Sequence, residues 1–501
     1  MAHKYVLAID QGTTGTTIIL FDDNGRLVSK VYKEFTQYYP RPGWVEHDAW
    51  EIWEGTAELI DEIIKQTEVD STEIAAIGIT NQRETVVLWD RKTGKPVSRA
   101  IVWQCRRTAP MCDRFKSEGL APIFQEKTGL VLDAYFSGTK LKWILDNDSS
   151  LRKRALNGEL AFGTIDSWLI YNLTGGKVHV TDYTNASRTL MFNIADLQWD
   201  PQLLKILDIP QSVLPEVRSC SEVYGYTTAL GRLPAGIPIA GAAGDQQAAL
   251  FGQACFRPGM VKATFGTGAF ILMNVGPQLV RSTNGLLTTI SWGVNGRVEY
   301  ALEGSVFVAG AAVQWLRDEM QLIETAAQTE QMAQAVPDTN GVYFVPAFVG
   351  LGAPYWDPYT RGTIMGLTRG VNRNHLVRAT LEAIVYQTKD VLDVMVSDAQ
   401  IPIAELKVDG GASVNSFICQ FLSDITRANV HRPQVFETTA LGAAYLAGLA
   451  VGVWENQGEI QQKWETDQTY RPLLPETRQK SLYEGWQRAV QCARGWVSDD
   501  Q

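Results

Sequence analysis

The chain has 501 residues, of which 45% are hydrophobic and 20% charged, and its formal net charge is −10. This length and composition are typical of a soluble globular enzyme with two large domains or three smaller ones. The acidic balance argues against nucleic acid or an anionic membrane surface as the main partner. No uninterrupted apolar stretch approaches the ~20 residues that span a bilayer, so stable membrane insertion is not expected.

Cysteine usage and the first residues favour a cytoplasmic protein. The six cysteines include no Cys-x-x-Cys pair, and the five histidines show no metal-ligand spacing. We therefore expect buried, reduced thiols rather than a zinc site or a disulfide framework. The start of the chain lacks the basic stretch, apolar core and cleavage site of a secretory signal.

The first predicted element is a hairpin. Two apolar runs flank a turn that contains Asp10, Gly12, Thr13 and Thr14. Glycine lets the backbone approach a ligand closely, and amide and hydroxyl groups bind phosphoryl oxygens. A carboxylate beside such a turn suits the Mg²⁺ that accompanies phosphates. The motif indicates ATP chemistry without a Walker loop, although an ordinary hairpin with a polar turn explains it equally well.

A helix and a strand follow the hairpin. Apolar residues recur at helical spacing over 49–66, and a strand is predicted over 74–80, before the polar tetrad 81–84. Adjacent Arg83 and Glu84 side chains can donate to and accept from the hydroxyls of a polyol. For the tetrad taken alone, a solvated turn with a surface ion pair is the favoured interpretation.

Asp245 is the natural candidate for a general base. It follows a predicted strand that begins near Ile237 and ends in a glycine turn. Open α/β sheets bind ligands at the carboxyl ends of their strands, and a carboxylate there can accept a hydroxyl proton during attack. The alternative is that Asp245 only caps the following helix.

The turn-rich stretch 252–259 predicts a boundary between domains 1–252 and 253–501. Just after it, a second glycine and threonine turn, centred on Thr267, again joins two apolar runs. This loose repeat indicates an internal duplication. One hairpin per domain could then hold a triphosphate from both sides of a cleft.

Two further segments fit such a cleft. Gly310 begins a predicted helix with small residues on one face, which would let an adenine or ribose approach the backbone, although helix packing alone also explains them. A strand from Leu406 ends in Gly410 and Gly411, and Ser413 is the predicted N-cap of the next helix.

Two long segments resemble the signatures of the FGGY carbohydrate kinases. The first covers 135–147, a predicted helix, and the second runs from Gly362 through His375 to Glu382. The resemblance extends over roughly residues 4–490. It implies an α/β chain with a two-domain actin/hexokinase-like ATPase (ribonuclease H-like) fold and a central cleft between the domains.

The resemblance also implies an activity. It implies transfer of a phosphoryl group from ATP to glycerol, giving sn-glycerol 3-phosphate, with Mg²⁺ as the metal. The tetrad 81–84 is similar to family members that act on glycerol, whereas pentulose kinases carry a Met-His-Gly type segment there. The bulky Trp103 and Phe270 side chains favour a three-carbon substrate. One alternative is that the substrate is another polyol or a ketose. The other is a non-enzymatic actin-like ATPase, but the chain has the complete set of arginine, glutamate, tyrosine, aspartate and glutamine side chains at the implied substrate positions, which argues against it.

Individual roles are implied by the matching positions. Asp245 would be the base, and Arg83 would hold the substrate for the reaction. The implied glycerol contacts are Arg83, Glu84, Trp103, Tyr135, Asp245, Gln246 and Phe270. The implied nucleotide contacts are Thr13, Thr14, Gly15, Thr267, Gly310, Gln314, Gly411 and Asn415. Asp10 would hold Mg²⁺ through water, and the family forms homodimers and homotetramers.

The chain departs from the family in two places. Thr17 stands where an arginine normally contacts the nucleotide. Arg232 is the only basic residue in the loop 227–236, where some relatives bind fructose 1,6-bisphosphate. Neither contact is therefore carried over to this chain.

Overall fold

The computed structural model describes residues 5–67 and 69–497. The strands of the first half are β1 (Tyr5–Gln11), β2 (Gly15–Asp22), β3 (Leu27–Glu34), β4 (Glu46–His47), β5 (Ile74–Asn81), β6 (Val87–Asp90), β7 (Ala100–Ile101), β8 (Leu160–Gly163), β9 (Val180–Asp182), β10 (Phe192–Asn193), β11 (Gln198–Trp199), β12 (Glu216–Arg218), β13 (Ser221–Tyr226) and β14 (Pro238–Gly244). The helices are α1 (Ala49–Thr67), α2 (Ala109–Ser117), α3 (Ala121–Thr128), α4 (Ser137–Asn147), α5 (Ser149–Leu156), α6 (Ile165–Leu173), α7 (Tyr183–Ala186), α8 (Pro201–Leu207) and α9 (Asp245–Gly252).

The second half is also mixed α/β. Its strands are β15 (Met260–Phe265), β16 (Ala269–Gly276), β17 (Leu287–Val294), β18 (Arg297–Val306), β19 (Tyr343–Val345), β20 (Thr363–Met365), β21 (Glu405–Asp409), β22 (Val430–Pro433) and β23 (Thr466–Tyr470). Its helices are α10 (Gly310–Asp318), α11 (Gln328–Gln334), α12 (Arg373–Ala399), α13 (Ser416–Thr426), α14 (Thr438–Val451), α15 (Gln457–Lys463) and α16 (Glu476–Ala493). Short 3₁₀ turns lie at Ser71–Glu73, Gln211–Val213 and Gly411–Val414.

The first sheet has the strand order β13-β14-β5-β1-β2-β3. Strands β1, β2 and β3 pair antiparallel, whereas β1, β5 and β14 run parallel. The carboxyl ends of these three parallel strands therefore meet at one edge of the sheet. That edge carries Asp10, the tetrad 81–84 and Asp245, all of which are predicted site positions of this half.

The second sheet repeats this arrangement. Its order is β17-β18-β16-β15-β21-β22-β23. Strands β15, β16 and β18 pair antiparallel, and β15, β21 and β22 run parallel. Strand β17 adds an edge next to β18, and β23 pairs antiparallel with β22 as β13 does with β14. The repeated pairing agrees with the predicted internal duplication.

Helices α9 and α14 join the two halves. A Cβ on Gly442 would lie 1.8 Å from the Ala248 carbonyl oxygen, and one on Gly252 would lie 2.0 Å from the Thr438 oxygen. Only glycine allows the two backbones to approach so closely. Helix α14 also packs on the first sheet, since a Cβ on Gly78 would lie 2.1 Å from the Ala443 oxygen. The second half therefore contributes a helix to the core of the first sheet.

Several predicted element bounds differ from the structure. The second strand of the first hairpin begins at Gly15 rather than Ile18, because the threonine-rich segment pairs with β3 in register. The predicted helix over 135–147 begins only at Ser137, which leaves Tyr135 in the preceding turn. All six cysteines are free thiols, and five are buried. Across residues 5–67 and 69–497, no helix is long and apolar enough to cross a membrane.

Candidate active site

The first hairpin is tied to the polar tetrad. The Gly12 amide donates to the Gly15 carbonyl at 2.9 Å and closes the turn. The Gln82 side-chain amide donates to the Gly12 carbonyl at 3.1 Å. Thr13 Oγ1 accepts a 2.9 Å hydrogen bond from Trp103 Nε1, which leaves the threonine hydroxyl free to donate to a ligand. The turn thus has a fixed shape, and the Thr13 hydroxyl can still donate a hydrogen bond to a ligand.

The tetrad is buried rather than solvated. Asn81, Gln82, Arg83 and Glu84 are each at most 2% exposed, so the interpretation as a surface turn is wrong. The tetrad follows β5 into the protein interior, where it meets residues from distant segments of both halves of the chain. Glu84 has a φ of +60°, a left-handed backbone that is uncommon outside glycine and that clusters at functional sites.

Arg83 is the centre of a buried charge network. Its terminal nitrogens donate to both carboxylate oxygens of Glu303, at 2.6 and 3.0 Å. Its Nε lies 3.1 Å from Asp245 Oδ1, and one terminal nitrogen lies 3.5 Å from the Tyr135 hydroxyl. The guanidinium thereby joins the ends of β5 and β14 to β18 of the second half.

A second guanidinium completes the network. Arg188 Nε donates to Glu84 Oε1 at 2.7 Å, and Arg188 also donates to Glu303 at 3.0 Å. The side chain is fully buried, and one of its terminal nitrogens has no hydrogen-bond partner within the described residues. Sequence reasoning missed Arg188 and Glu303, because neither belongs to a local motif. Only the fold brings them to the tetrad.

Burial and charge together determine the protonation of this network. Burial alone would lower the pKa of Arg83, but Glu303, Glu84 and Asp245 raise it well above its ordinary value. Burial alone would raise the pKa of Glu303, but Arg188 and Arg83 lower it to about 2. Burial raises the pKa of Glu84 against the opposing effect of the two arginines. Arg83 and Glu303 therefore stay charged at neutral pH.

Asp245 is the open end of the network. Its side chain is 33% exposed, whereas that of Arg83 is 2% exposed. The carboxylate is at the first residue of α9, and it accepts a hydrogen bond from the neighbouring Gln246 amide at 2.7 Å, the one it receives from a helix amide among the described residues. The residue at the N-cap position is Gly244. The Asp245 carboxylate is thus held on one side and accessible on the other, as a proton acceptor requires.

Aromatic side chains lie beside these polar groups. The Trp103 and Tyr135 rings contact edge to face with centroids 5.5 Å apart. Trp103 thereby connects the Thr13 turn to Tyr135, and Tyr135 reaches Arg83. Phe270 is half-buried on β16, directly opposite Thr264 of β15. A continuous series of contacts therefore runs from the first hairpin to Asp245.

The second hairpin supports the start of α10. Gly266 and Gly268 close the turn, with N to O at 2.9 Å. The Gly310 amide donates to the Gly266 carbonyl at 3.0 Å, and the Ala311 amide donates to the Thr267 carbonyl at 3.0 Å. A Cβ on Gly310 would lie 2.5 Å from the Gly266 oxygen. Glycine at 310 is therefore required for this contact, beyond ordinary helix packing.

The remaining predicted nucleotide positions lie on α10, in the 3₁₀ turn Gly411–Val414 and at the start of α13. Gly410 has a φ of +82°, and a Cβ there would lie 2.5 Å from the Phe265 oxygen, so the turn before Gly411 packs directly on β15. Gln314 is exposed on α10. Asn415 accepts from the Ile418 amide at 3.2 Å and is the N-cap of α13. The prediction of Ser413 as the cap is wrong, because a 3₁₀ turn precedes the helix.

Asp10 is suited to a cation. Its pKa is raised to about 7, chiefly by burial and also by the carboxylates of Asp245 and Glu437, against the opposing charge of Lys30. A bound cation would relieve this repulsion. Within the described residues, no group of three histidine, cysteine or acidic side chains could hold a metal alone. The donor set therefore fits a Mg²⁺ that takes its other ligands from phosphate and water.

Comparisons with known proteins agree on one family. The N-terminal domain of the FGGY family of carbohydrate kinases matches residues 5–252, and its C-terminal domain matches residues 261–451. The chain is 59% identical to a glycerol kinase of Alkaliphilus metalliredigens over 99% of this chain and 100% of the relative. It is 60% identical to glycerol kinase 2 of Thermotoga maritima over 98% of this chain and 99% of the relative. The crystal structure of Plasmodium falciparum glycerol kinase with ADP superposes with a TM-score of 0.93 at 38% identity, covering 98% of each chain.

Proposed function

The chain belongs to the FGGY family of carbohydrate kinases, and from this premise we propose that it transfers the γ-phosphoryl group of ATP to glycerol, giving sn-glycerol 3-phosphate and ADP. Its two-domain α/β, actin/hexokinase-like ATPase fold is the one predicted. The full-length similarity to glycerol kinases near 60% identity favours glycerol over another polyol or a ketose.

The observation that carries the proposal is the array of donors and acceptors around Arg83. Arg83, Tyr135 and Gln246 would donate to substrate hydroxyls, and Glu84 would accept from them. Asp245 is the one carboxylate of this network that is both held by Arg83 and one-third exposed. It would take the proton of the attacking hydroxyl as the oxygen bonds to the γ-phosphorus and ADP leaves. Trp103 and Phe270 would pack on the carbon chain.

The nucleotide would lie against the two glycine and threonine turns. Amide and hydroxyl groups of Thr13, Thr14, Gly15 and Thr267 would bind phosphoryl oxygens. Gly310, Gln314, Gly411 and Asn415 would contact the adenosine. Mg²⁺ neutralises charge on the phosphates in such reactions, and Asp10 would hold it at the end of β1. Domains 1–252 and 253–501 would supply the polyol and adenosine sites respectively, with Phe270 and Glu303 reaching across.

Thr17 and Arg232 are the two positions at which the chain departs from the family pattern, and the structure shows what surrounds each of them. Thr17 lies directly opposite Asp10 across the β1 and β2 pair, and we expect the neighbouring amide and hydroxyl donors to replace the missing arginine. Arg232 pairs with Asp61, which also accepts from the Arg232 amide at 2.7 Å. This arginine is therefore already occupied, and inhibition by fructose 1,6-bisphosphate does not form part of the proposal.

A substrate panel tests the proposal. ADP release is measured with glycerol, dihydroxyacetone, xylulose and gluconate, each with and without Mg²⁺. We expect the highest kcat/KM with glycerol and no turnover without the metal. A clear preference for xylulose or gluconate would contradict the substrate assignment. The homodimer or homotetramer and the cytoplasmic location remain predictions, and light scattering after size-exclusion chromatography tests the first.

A further inference from the structure

Lys262 is a buried lysine that no part of the proposed mechanism uses. It lies on β15, and its side chain is inaccessible to solvent. Its Nζ donates to Gln246 Oε1, to Thr264 Oγ1 at 3.0 Å and to the Phe270 carbonyl at 3.4 Å. All three acceptors are uncharged. Because a buried ammonium without a paired carboxylate is costly, its placement calls for a reason beyond packing.

The charges around Lys262 come from both halves of the chain. Burial lowers its pKa to about 8, while Asp409, Asp245 and Glu303 favour the charged form and Arg83 opposes it. Asp409 is itself bound by the Gln253 amide at 2.9 Å and the Thr438 hydroxyl at 2.6 Å. Lys262 therefore lies at the point where the polyol network and the base of the second hairpin meet.

The contact with Gln246 determines which way that amide points. An ammonium only donates hydrogen bonds, so the atom of Gln246 that faces it must be the oxygen. Gln246 Nε2 makes no hydrogen bond within the described residues, and the side chain is half-buried next to Asp245. A free donor is thus left at the edge of the polyol pocket.

We propose that Lys262 is a positioning residue for the polyol: it holds the Gln246 amide with its oxygen inward, so that the NH₂ group donates to a substrate hydroxyl. The same ammonium fixes the Phe270 carbonyl, and so aligns a second predicted pocket residue. The pocket then offers donors on Arg83 and Gln246 and acceptors on Glu84 and Asp245. Each hydroxyl can accept one hydrogen bond and donate another. The inference rests on the proposed function, since it assigns Gln246 to the polyol.

The test is Lys262→Met, which keeps the length of the side chain and removes its donors. We expect the KM for the polyol to rise at least tenfold, because the Gln246 amide loses its fixed orientation. The KM for ATP should stay within twofold and kcat within a few-fold. In a Gln246→Ala background, Lys262→Met should raise the polyol KM no further, since the lysine acts through that amide.

Two variants separate positioning from stability. Gln246→Glu keeps the contact with Lys262 but replaces the NH₂ donor by an oxygen, so the polyol KM should rise as in Gln246→Ala while Tm is maintained. Lys407→Met is the matched control. Lys407 pairs with Lys262 in register, is buried, and donates to the Gln253 carbonyl at 2.7 Å away from the pocket. Its loss should lower Tm and leave the polyol KM unchanged.

The assays use the polyol that the unmodified chain prefers. If that polyol is not glycerol, the substrate assignment fails while the role of Lys262 is still tested. An unchanged polyol KM in Gln246→Glu, an equal rise in Lys407→Met, or fully additive effects of Lys262→Met and Gln246→Ala would overturn the inference. The absence of turnover with every polyol would overturn the proposed function and this inference with it.

Discussion

The polyol side and the nucleotide side of the candidate active site are built in different ways. On the polyol side, the side chains of Arg83, Glu84, Arg188 and Glu303 are at most 3% exposed and bind one another directly. On the nucleotide side, four of the eight predicted contacts are exposed turn or helix positions with few side-chain hydrogen bonds: Thr14, Thr267, Gln314 and Gly411. One region is a network of buried charges, and the other is a set of backbone turns.

This difference predicts unequal sensitivity to substitution. Removing one partner of a buried charge pair leaves the other charge uncompensated, at a cost of about 3–5 kcal/mol. Removing one hydroxyl from an exposed turn loses a single hydrogen bond, worth about 1 kcal/mol. Single substitutions in the polyol pocket should therefore cause large losses that are specific to the polyol, whereas single substitutions in the nucleotide site should weaken ATP binding only slightly.

The largest expected effect is that of Asp245→Asn. The amide keeps the shape of the side chain but cannot accept the hydroxyl proton, so we expect kcat to fall by about 10²–10⁴. Because Arg83 and Gln246 remain, glycerol and ADP should bind within a few-fold of the unmodified chain. Turnover is measured by ADP release, and binding by calorimetry. A kcat near that of the unmodified chain would remove Asp245 as the base.

Arg83→Ala should mainly affect glycerol. Loss of a charge-assisted donor of about 2–3 kcal/mol corresponds to a rise of about 10² in the KM for glycerol. Arg107→Ala is the matched control, since the Arg107 side chain is also 2% exposed and binds Glu46 at 2.7 Å outside the pocket. If Arg83→Ala and Arg107→Ala raise the KM for glycerol equally, the rise reflects lost stability rather than a lost contact with glycerol. That result would contradict the difference described between the polyol side and the nucleotide side.

On the nucleotide side, Thr267→Val should be mild. Valine keeps the shape of threonine and removes one hydroxyl, so we expect the KM for ATP to rise about three- to tenfold. The KM for glycerol should not change, because no hydrogen bond links Thr267 to the charge network within the part of the chain that the structure describes. A loss of activity as large as that of Arg83→Ala would show that the two sides do not differ as described.

Asp10→Asn should give the smallest effect, a change in Tm whose size depends on pH. Its pKa is raised from 3.8 to about 7 in the folded chain, so the folded state holds a proton that the unfolded state releases. Its contribution to stability is therefore present below pH 4 and is lost as the pH rises to 7. Asp10→Asn cannot titrate, so the Tm advantage of this variant over the unmodified chain should grow by about 2 °C between pH 4.5 and 7.5 without Mg²⁺.

Scanning fluorimetry at the two pH values measures this difference. Addition of Mg²⁺ and ADP should stabilise the unmodified chain more than Asp10→Asn, since a neutral amide lacks the negative charge with which a carboxylate attracts the metal. The same Tm difference at both pH values would contradict the raised pKa.

Local patterns predicted the elements of the site well, because each rests on neighbouring residues. The glycine and threonine turns, the strand that ends before Asp245 and the helix predicted over 49–66 all lie close to their predicted places. The resemblance to the FGGY kinases supplied what local patterns could not, which was the assignment of Tyr135 and Gln246 to one pocket.

Two members of the charge network, Arg188 and Glu303, were not predictable from sequence, for a physical reason. Arg188 follows a short helix and Glu303 lies within a strand, and neither position is unusual in composition. They meet the tetrad only after two sheets have formed and packed. For the same reason the tetrad itself resembled a solvated turn: the residues that surround it are distant in sequence, and Glu303 lies 220 residues away from Arg83.

The most direct test of the central claim is the identity of the phosphorylated product. The purified chain is incubated with ATP, Mg²⁺ and glycerol, and phosphorus NMR follows the γ-phosphoryl group. We predict that it appears as sn-glycerol 3-phosphate, with one ADP formed for each product molecule. Release of inorganic phosphate without any glycerol phosphate, at a rate indifferent to glycerol, would contradict the account.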